Sequence, residues 1–213
     1  MKSPLTFLLA VQTPSEASRT TPGGPFGSLS TLFNPKGAVS RDEKVIDLLK
    51  IANEVGQVGS MASEDDQERM KVAAEAIIPL SDNKPARISL TGTHDLVYSA
   101  APGGSSGKLF GNVVGKVTQF FPDDKTFFNK VELGPLSIAL KAEREIKSDN
   151  VISVSFKESI ISLFGKTIVQ KEIGGGGAWK VKFIGKITDQ NGKQKLVRVM
   201  ETPSLFVITQ DLE

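Results

Sequence analysis

The chain has 213 residues, 39% of them hydrophobic, with no cysteine, one histidine and a formal charge of +2 from 26 basic and 24 acidic side chains. That length can bury one sizeable core, while the missing cysteines exclude disulfides, thiolate metal sites and cysteine nucleophiles, and the lone histidine excludes a His-rich metal site. Charges of both signs are interspersed, at a sequence pI of about 8.7, so no nucleic-acid partner is expected, and no metal or cofactor.

Residues 1–39 are dominated by Ser, Thr, Pro and Gly, with Glu16 as their only acid and Lys2, Arg19 and Lys36 as their bases. Such a stretch cannot bury enough apolar surface to offset its ordering entropy, which predicts a flexible tail. Its acid-poor, hydroxyl-rich composition is also that of a transit peptide. The opening MKSPLTFLLAV sets a lysine before a short apolar run, so a secretory then plastid address is an alternative reading. No apolar run approaches the ~20 residues that span a bilayer as a helix, so membrane contact is expected only through a surface.

From Ser40 the pattern becomes helical. Ser40 and Glu43 have capping-box spacing, and Val45, Ile46, Leu49, Ile51 and Ala52 recur at helical intervals until Gly56. In SEDDQERMKVAAEAIIP, Ser63 with Asp66 caps a second helix, its acidic first turn suits the helix dipole, and Pro79 ends it. The expected apolar stripe is Met70, Val72, Ala73, Ile77 and Ile78. Two amphipathic helices over 40–79 each need a surface to cover.

After SDNKPA the period becomes two. Strands are expected over 87–99, 112–121, 126–133, 136–146, 151–157, 161–171, 179–187, 195–201 and 204–210. Leu136, Ile138, Leu140 and Ala142 alternate with polar residues, as do Ile152, Val154 and Phe156. Turns at PDD (122–124), SDN (148–150) and QNG (190–192) join neighbours as hairpins. Sequential antiparallel strands of this kind satisfy their edges by closing into a barrel or stacking as a sandwich.

Chemistry is sparse. The run GGGGAWK, from Gly174, lacks the Lys-Ser or Lys-Thr and the helix that a phosphate loop requires, and reads as a hairpin tip. Trp179 begins a row with Val181 and Phe183. Strand parity puts Ile88, Leu90, His94, Leu96 and Tyr98 on one face, with Asp95 opposite. His94 therefore lacks an orienting acid, and Tyr98 lies roughly 13 Å along the strand at ~3.3 Å per residue. EDD (64–66), PDD and KAERE (141–145) read as a helix start, a turn and a solvated strand edge. Arg198 alternates with Leu196 and Met200 on one face and reads equally as buried or solvated. No catalytic residues are assigned, and an enzyme is not expected.

LTGTHDLVYS (90–99) resembles the opening strand of the plastid lipid-associated protein family, the fibrillins, in which a Gly-x-Trp-x-Leu-x-Tyr motif begins the barrel. VGKVTQFF (114–121), FFNKVEL (127–133) and LVRVMETPSLFVIT (196–209) are similar to later landmarks of that family, and the two upstream helices fit it. The resemblance covers about residues 41–210. His94 stands where the family carries tryptophan, and Glu201 to Pro203 replace a stretch that carries a second arginine and glycines.

The resemblance implies a mainly β domain over 40–213, a lipocalin-like antiparallel β-barrel (87–210) preceded by two amphipathic helices. It also implies a chloroplast protein, at plastoglobules or thylakoids, that binds prenylquinones, carotenoids or other lipids without catalysis. Leu96, Tyr98, Val117, Phe121, Val131, Leu140, Phe156 and Trp179 are the expected cavity lining, with Gly92, His94, Arg198 and Phe206 as structural motif residues. The rival reading is a filled barrel that docks on lipid bodies or photosynthetic complexes, with ISLFGKTIV (161–169) as an inserting rim.

Overall fold

The computed structural model describes residues 40–108 and 113–212, and the expected tail over 1–39 lies outside them. Helix α1, Arg41–Val55, opens on the capping box: the Ser40 hydroxyl accepts from the Glu43 amide, and the Glu43 carboxylate accepts from the Ser40 amide. It ends at Gly56, whose φ of 91° favours glycine. Helix α2, Glu64–Ile77, is capped by Ser63 and runs into a 3₁₀ turn at Ile78–Leu80, where Pro79 ends the helix. The buried face of α1 is Val45, Leu48 and Ala52, and that of α2 is Met70, Ala74 and Ile77. Val72, expected in the stripe, is 55% exposed because it lies on the other side of this 70/74/77 row.

Among the described residues nine antiparallel strands follow: β1 (Gly92–Ser99), β2 (Lys116–Phe121), β3 (Thr126–Leu133), β4 (Leu136–Ile146), β5 (Val151–Leu163), β6 (Lys166–Glu172), β7 (Gly176–Thr188), β8 (Gln194–Glu201) and β9 (Leu205–Asp211). They form one sheet in the order β4-β3-β2-β1-β9-β8-β7-β5-β6, and a further β4–β5 pairing closes it into a ring. Strand β5 makes this possible by its length. It pairs with β4 along one edge, while its other edge meets β7 over Val151–Ser155 and β6 over Glu158–Leu163. The expected break between strands ending at 157 and starting at 161 does not exist; the reversal comes at Phe164 and Gly165, both at positive φ. Strand β6 therefore hangs outside the ring, extending a β4–β5 hairpin past its rim.

Alternation divides the apolar side chains into two clusters. Inside the ring lie Leu90, Leu96, Val117, Phe121, Phe127, Val131, Ala142, Ile152, Val154, Trp179, Val181, Ile184, Leu196, Met200, Phe206 and Ile208. Outside it, the two helices pack on Tyr98, Phe183, Ile187, Val197, Val199 and Val207, from β1, β7, β8 and β9. Two irregularities reassign faces. Leu96 pairs with Ile208 but Tyr98 with Val207, so Val97 is an extra residue; Val181 pairs with Met200 but Phe183 with Val199, so Lys182 is another. Each bulge turns the aromatic that follows it outward, against the helices.

Candidate functional site

The inward rows carry polar residues at several places, among them Asn129 of β3, which is half-buried opposite Gln119 and keeps a buried Oδ1 without a partner among the described residues. His94 (β1), Gln119 (β2), Arg144 (β4) and Arg198 (β8) are all buried among the apolar side chains, His94 and Gln119 as direct cross-strand partners. Phe121 and Trp179 hold the cluster together. The Arg198 guanidinium carbon lies 5.5 Å from the Phe121 centroid and 5.7 Å from that of Trp179, and the Arg144 carbon lies 5.6 Å from the same Phe121 ring. His94 meets Phe121 edge-on, with centroids 5.3 Å apart.

The hydrogen bonding is uneven. Arg144 donates from Nε to the Asp124 carbonyl at 2.6 Å and from Nη2 to its carboxylate at 2.9 Å. Arg198, 1% exposed, donates from Nη2 to the Gln119 side-chain oxygen, and no carboxylate pairs with it among the described residues. Nε and Nη1 of Arg198 and Nη1 of Arg144 are buried without a partner there. Burial and the like charge of Arg144 push the Arg198 guanidinium down to about 9, which leaves it charged at neutral pH. Burial, then the positive Arg198, push His94 down to about 4, so the imidazole is neutral. A buried charge without a counter-charge is costly, on the order of 3–5 kcal/mol where a buried pair is broken, and such a site is suited to an anion.

At one rim, Val154, Phe156, Gly176, Gly177, Ala178, Trp179, Thr202 and Pro203 surround a cleft of about 310 Å³. Trp179 links this cleft to Arg198. Beyond the rim the inward row of β4 continues: Ile138 pairs with Ile161, which pairs with Val169 of β6, and Leu136 pairs with Leu163. These side chains, with Leu140, are half-buried or exposed and form an apolar wall continuous with the ring interior. A second cleft, of about 370 Å³, lies on the helix side between α2 and the sheet, lined by Tyr98, Lys71, Glu75, Lys182 and Glu201 among others.

Of the residues expected to line a cavity, Leu96, Val117, Phe121, Val131 and Trp179 belong to the ring interior, and half-buried Phe156 packs against it at the rim. Tyr98 does not: the Val97 bulge sends it to the helix side, where a Cβ on Gly59 would meet its ring at 2.3 Å. Burial there raises its phenol pKa. Leu140 stands on the inward row opposite Asn129, half-buried and outside the interior cluster. Phe183, expected beside Trp179 and Val181, also faces the helices, with the Arg41 guanidinium 5.5 Å from its centroid.

Among the motif residues, His94, Arg198 and Phe206 are inside the ring, and Gly92 opens β1 at a φ of 113°. Asp95 faces away and pairs with Lys116 at 2.8 Å. The glycine run is not a hairpin tip: Gly176 and Gly177 lie in β7, paired with Ser155 and Val154. Sequence reasoning missed Gln119 and Arg144, the latter read as part of a solvated edge. The signal was present in both, because each continues an apolar row, Val117 to Phe121 and Leu140 to Ala142.

Among the described residues no group of three or more His, Asp or Glu could hold a metal ion, and no helix is long and apolar enough to cross a membrane. Compared with known proteins, the chain matches no family model, no curated protein and no solved structure.

Proposed function

We propose that this protein binds a hydrophobic small molecule without chemical conversion, using the ring as a lipocalin-like β-barrel, and that it is a fibrillin-like protein of plastoglobules or thylakoids. The observation that carries the reading is the apolar wall of β4, β5 and β6, which extends the barrel's inward face past its rim and leaves it uncovered. Soluble monomers rarely expose continuous apolar surface unless something covers it, and a small barrel of this strand number holds at most one small ligand. A prenylquinone, carotenoid or acyl lipid laid along the wall, with one end at the Trp179 cleft, fits that shape.

Trp179 is the sole tryptophan, so its fluorescence reports on the rim alone. Titration with a prenylquinone, a carotenoid and a phospholipid, followed by native mass spectrometry, is expected to give saturable one-to-one binding for at least one of them. Failure of all three to bind or to perturb Trp179 rejects the reading.

A second reading, docking on a lipid surface, has its own observation. Phe164 is 78% exposed at the β5–β6 turn, held at a φ of 49°, and Lys166 follows two residues on. Flotation with anionic vesicles tests it: docking requires wild-type protein to float and Phe164→Ser to remain in solution.

A further inference from the structure

The interior contains more donor capacity than the fold uses. Three guanidinium nitrogens, Nε and Nη1 of Arg198 and Nη1 of Arg144, are buried without acceptors among the described residues. The two residues are 1% and 6% exposed, and the other inward positions around them are apolar, aromatic, amide or imidazole. Native interiors pair nearly all such groups, and a guanidinium can only donate, so the missing partner must be an acceptor.

The charge of that acceptor follows from the groups that face the cluster. Asp124 neutralises Arg144 at 2.9 Å, His94 is neutral, Gln119 offers only an amide oxygen already used by Arg198 Nη2, and the buried, unpartnered Oδ1 of Asn129 is one further acceptor but an uncharged one. One positive charge, on Arg198, is left over. A singly charged planar carboxylate matches it in sign and magnitude, whereas a dianionic phosphate would bury an excess negative charge. The approach is argued from Trp179: its indole lines the rim cleft and sits 5.7 Å from the Arg198 guanidinium carbon, so it stands between that cleft and the donors.

We infer that the ligand is an amphipathic carboxylate, whose head group enters past Trp179 to accept from Arg198 and Arg144 while its hydrocarbon chain lies on the β4–β5–β6 wall. This rests on the reading of the barrel as a ligand container, and adds a head-group class to it. A carotene would leave the donors as they are, and a quinone carbonyl would accept from one of them without balancing the charge; a carboxylate does both.

The test compares three probes of equal chain length, oleate, methyl oleate and oleyl alcohol, by Trp179 fluorescence and calorimetry at pH 7.5. Oleate is expected to bind at least tenfold more tightly than either neutral probe. Arg198→Met, a similar-sized apolar replacement, is expected to abolish that preference while retaining binding of oleyl alcohol and a cooperative unfolding transition. Equal affinity for all three probes in the wild-type protein overturns the carboxylate assignment and leaves the container reading standing. Binding of none rejects both. A persistent tenfold preference in a folded Arg198→Met protein also overturns the assignment of the head group to Arg198.

Discussion

The Nε2 atom of His94 lies 2.8 Å from the carbonyl oxygen of Leu90. A carbonyl can only accept, so Nε2 carries the proton, and the neutral tautomer of the ring is set by a backbone atom four residues upstream.

The burial of this ring, which the Leu90 contact only partly offsets, gives a pH dependence with a definite sign. The ordinary histidine value of 6.5 falls to about 4 in the folded protein, first through burial and then through the positive Arg198. Above pH 6.5 the contribution is fully present. As pH falls from 6.5 towards 4 the unfolded chain takes up a proton that the folded chain refuses, so stability drops by up to about 3 kcal/mol. Urea unfolding of wild type and His94→Gln between pH 7 and 4 is expected to show a shallower acid decline in the variant; parallel declines would contradict the assignment.

Two adjacent glycines should respond oppositely to the same substitution. A Cβ on Gly176 would lie 2.1 Å from the backbone oxygen of Val154, whereas one on Gly177 meets nothing within 4 Å. Gly176→Ala must push β5 and β7 apart and is expected to cost on the order of 1–3 kcal/mol. Gly177→Ala reduces the freedom of the unfolded chain and should be neutral or stabilising by about 0.5 kcal/mol. Chemical denaturation of the pair decides it.

Because Tyr98 faces the helices, Tyr98→Phe should leave affinity for the proposed ligand at the rim of the ring within twofold of wild type. A larger change in a Trp179 fluorescence titration would place the hydroxyl on the ligand path. Leu48→Ala, which empties a fully buried position of α1 against the same outer face, is expected to destabilise by about 2–5 kcal/mol without altering rim binding.

At the β5–β6 turn, Phe164 and Gly165 have φ values of 49° and 75°, a pair that favours Asn-Gly. Phe164→Asn is expected to raise stability by about 1 kcal/mol, since an aromatic residue in the left-handed region is strained. Thermal unfolding reads this directly, and a lowered midpoint would show that the phenyl ring is structurally required.

Much of this architecture was written in local pattern. Ser40 with Glu43 and Ser63 with Asp66 announced both helices, and the rows of β4 and β5 followed from simple alternation. What escaped was long-range. A bulge has no compositional mark: one extra residue at Val97 or Lys182 reverses the faces of Tyr98 and Phe183 while the hydrophobic pattern still reads as unbroken. The β4–β5 closure depends on a strand that serves two partners along one edge, which no window of sequence reveals. Arg144 was legible in principle, as a charged residue continuing the row of Leu136, Ile138, Leu140 and Ala142. It was misread because the neighbouring Glu143 and Glu145 made the segment look solvated.

Ring closure also has a consequence for biosynthesis. Strand β1 is completed by β9, with Asp95 opposite Thr209, and Val207 of β9 supplies part of the surface that both helices cover. The helices and β1 are synthesised well before β9, the partner that completes them. Until β9 is made, β1 and β8 each present an unpaired edge, and the helices rest on an unfinished sheet. A chain cut before Leu205 is therefore an open ribbon with two adhesive sides, which makes completion of the last strand the step that nascent-chain quality control has to guard.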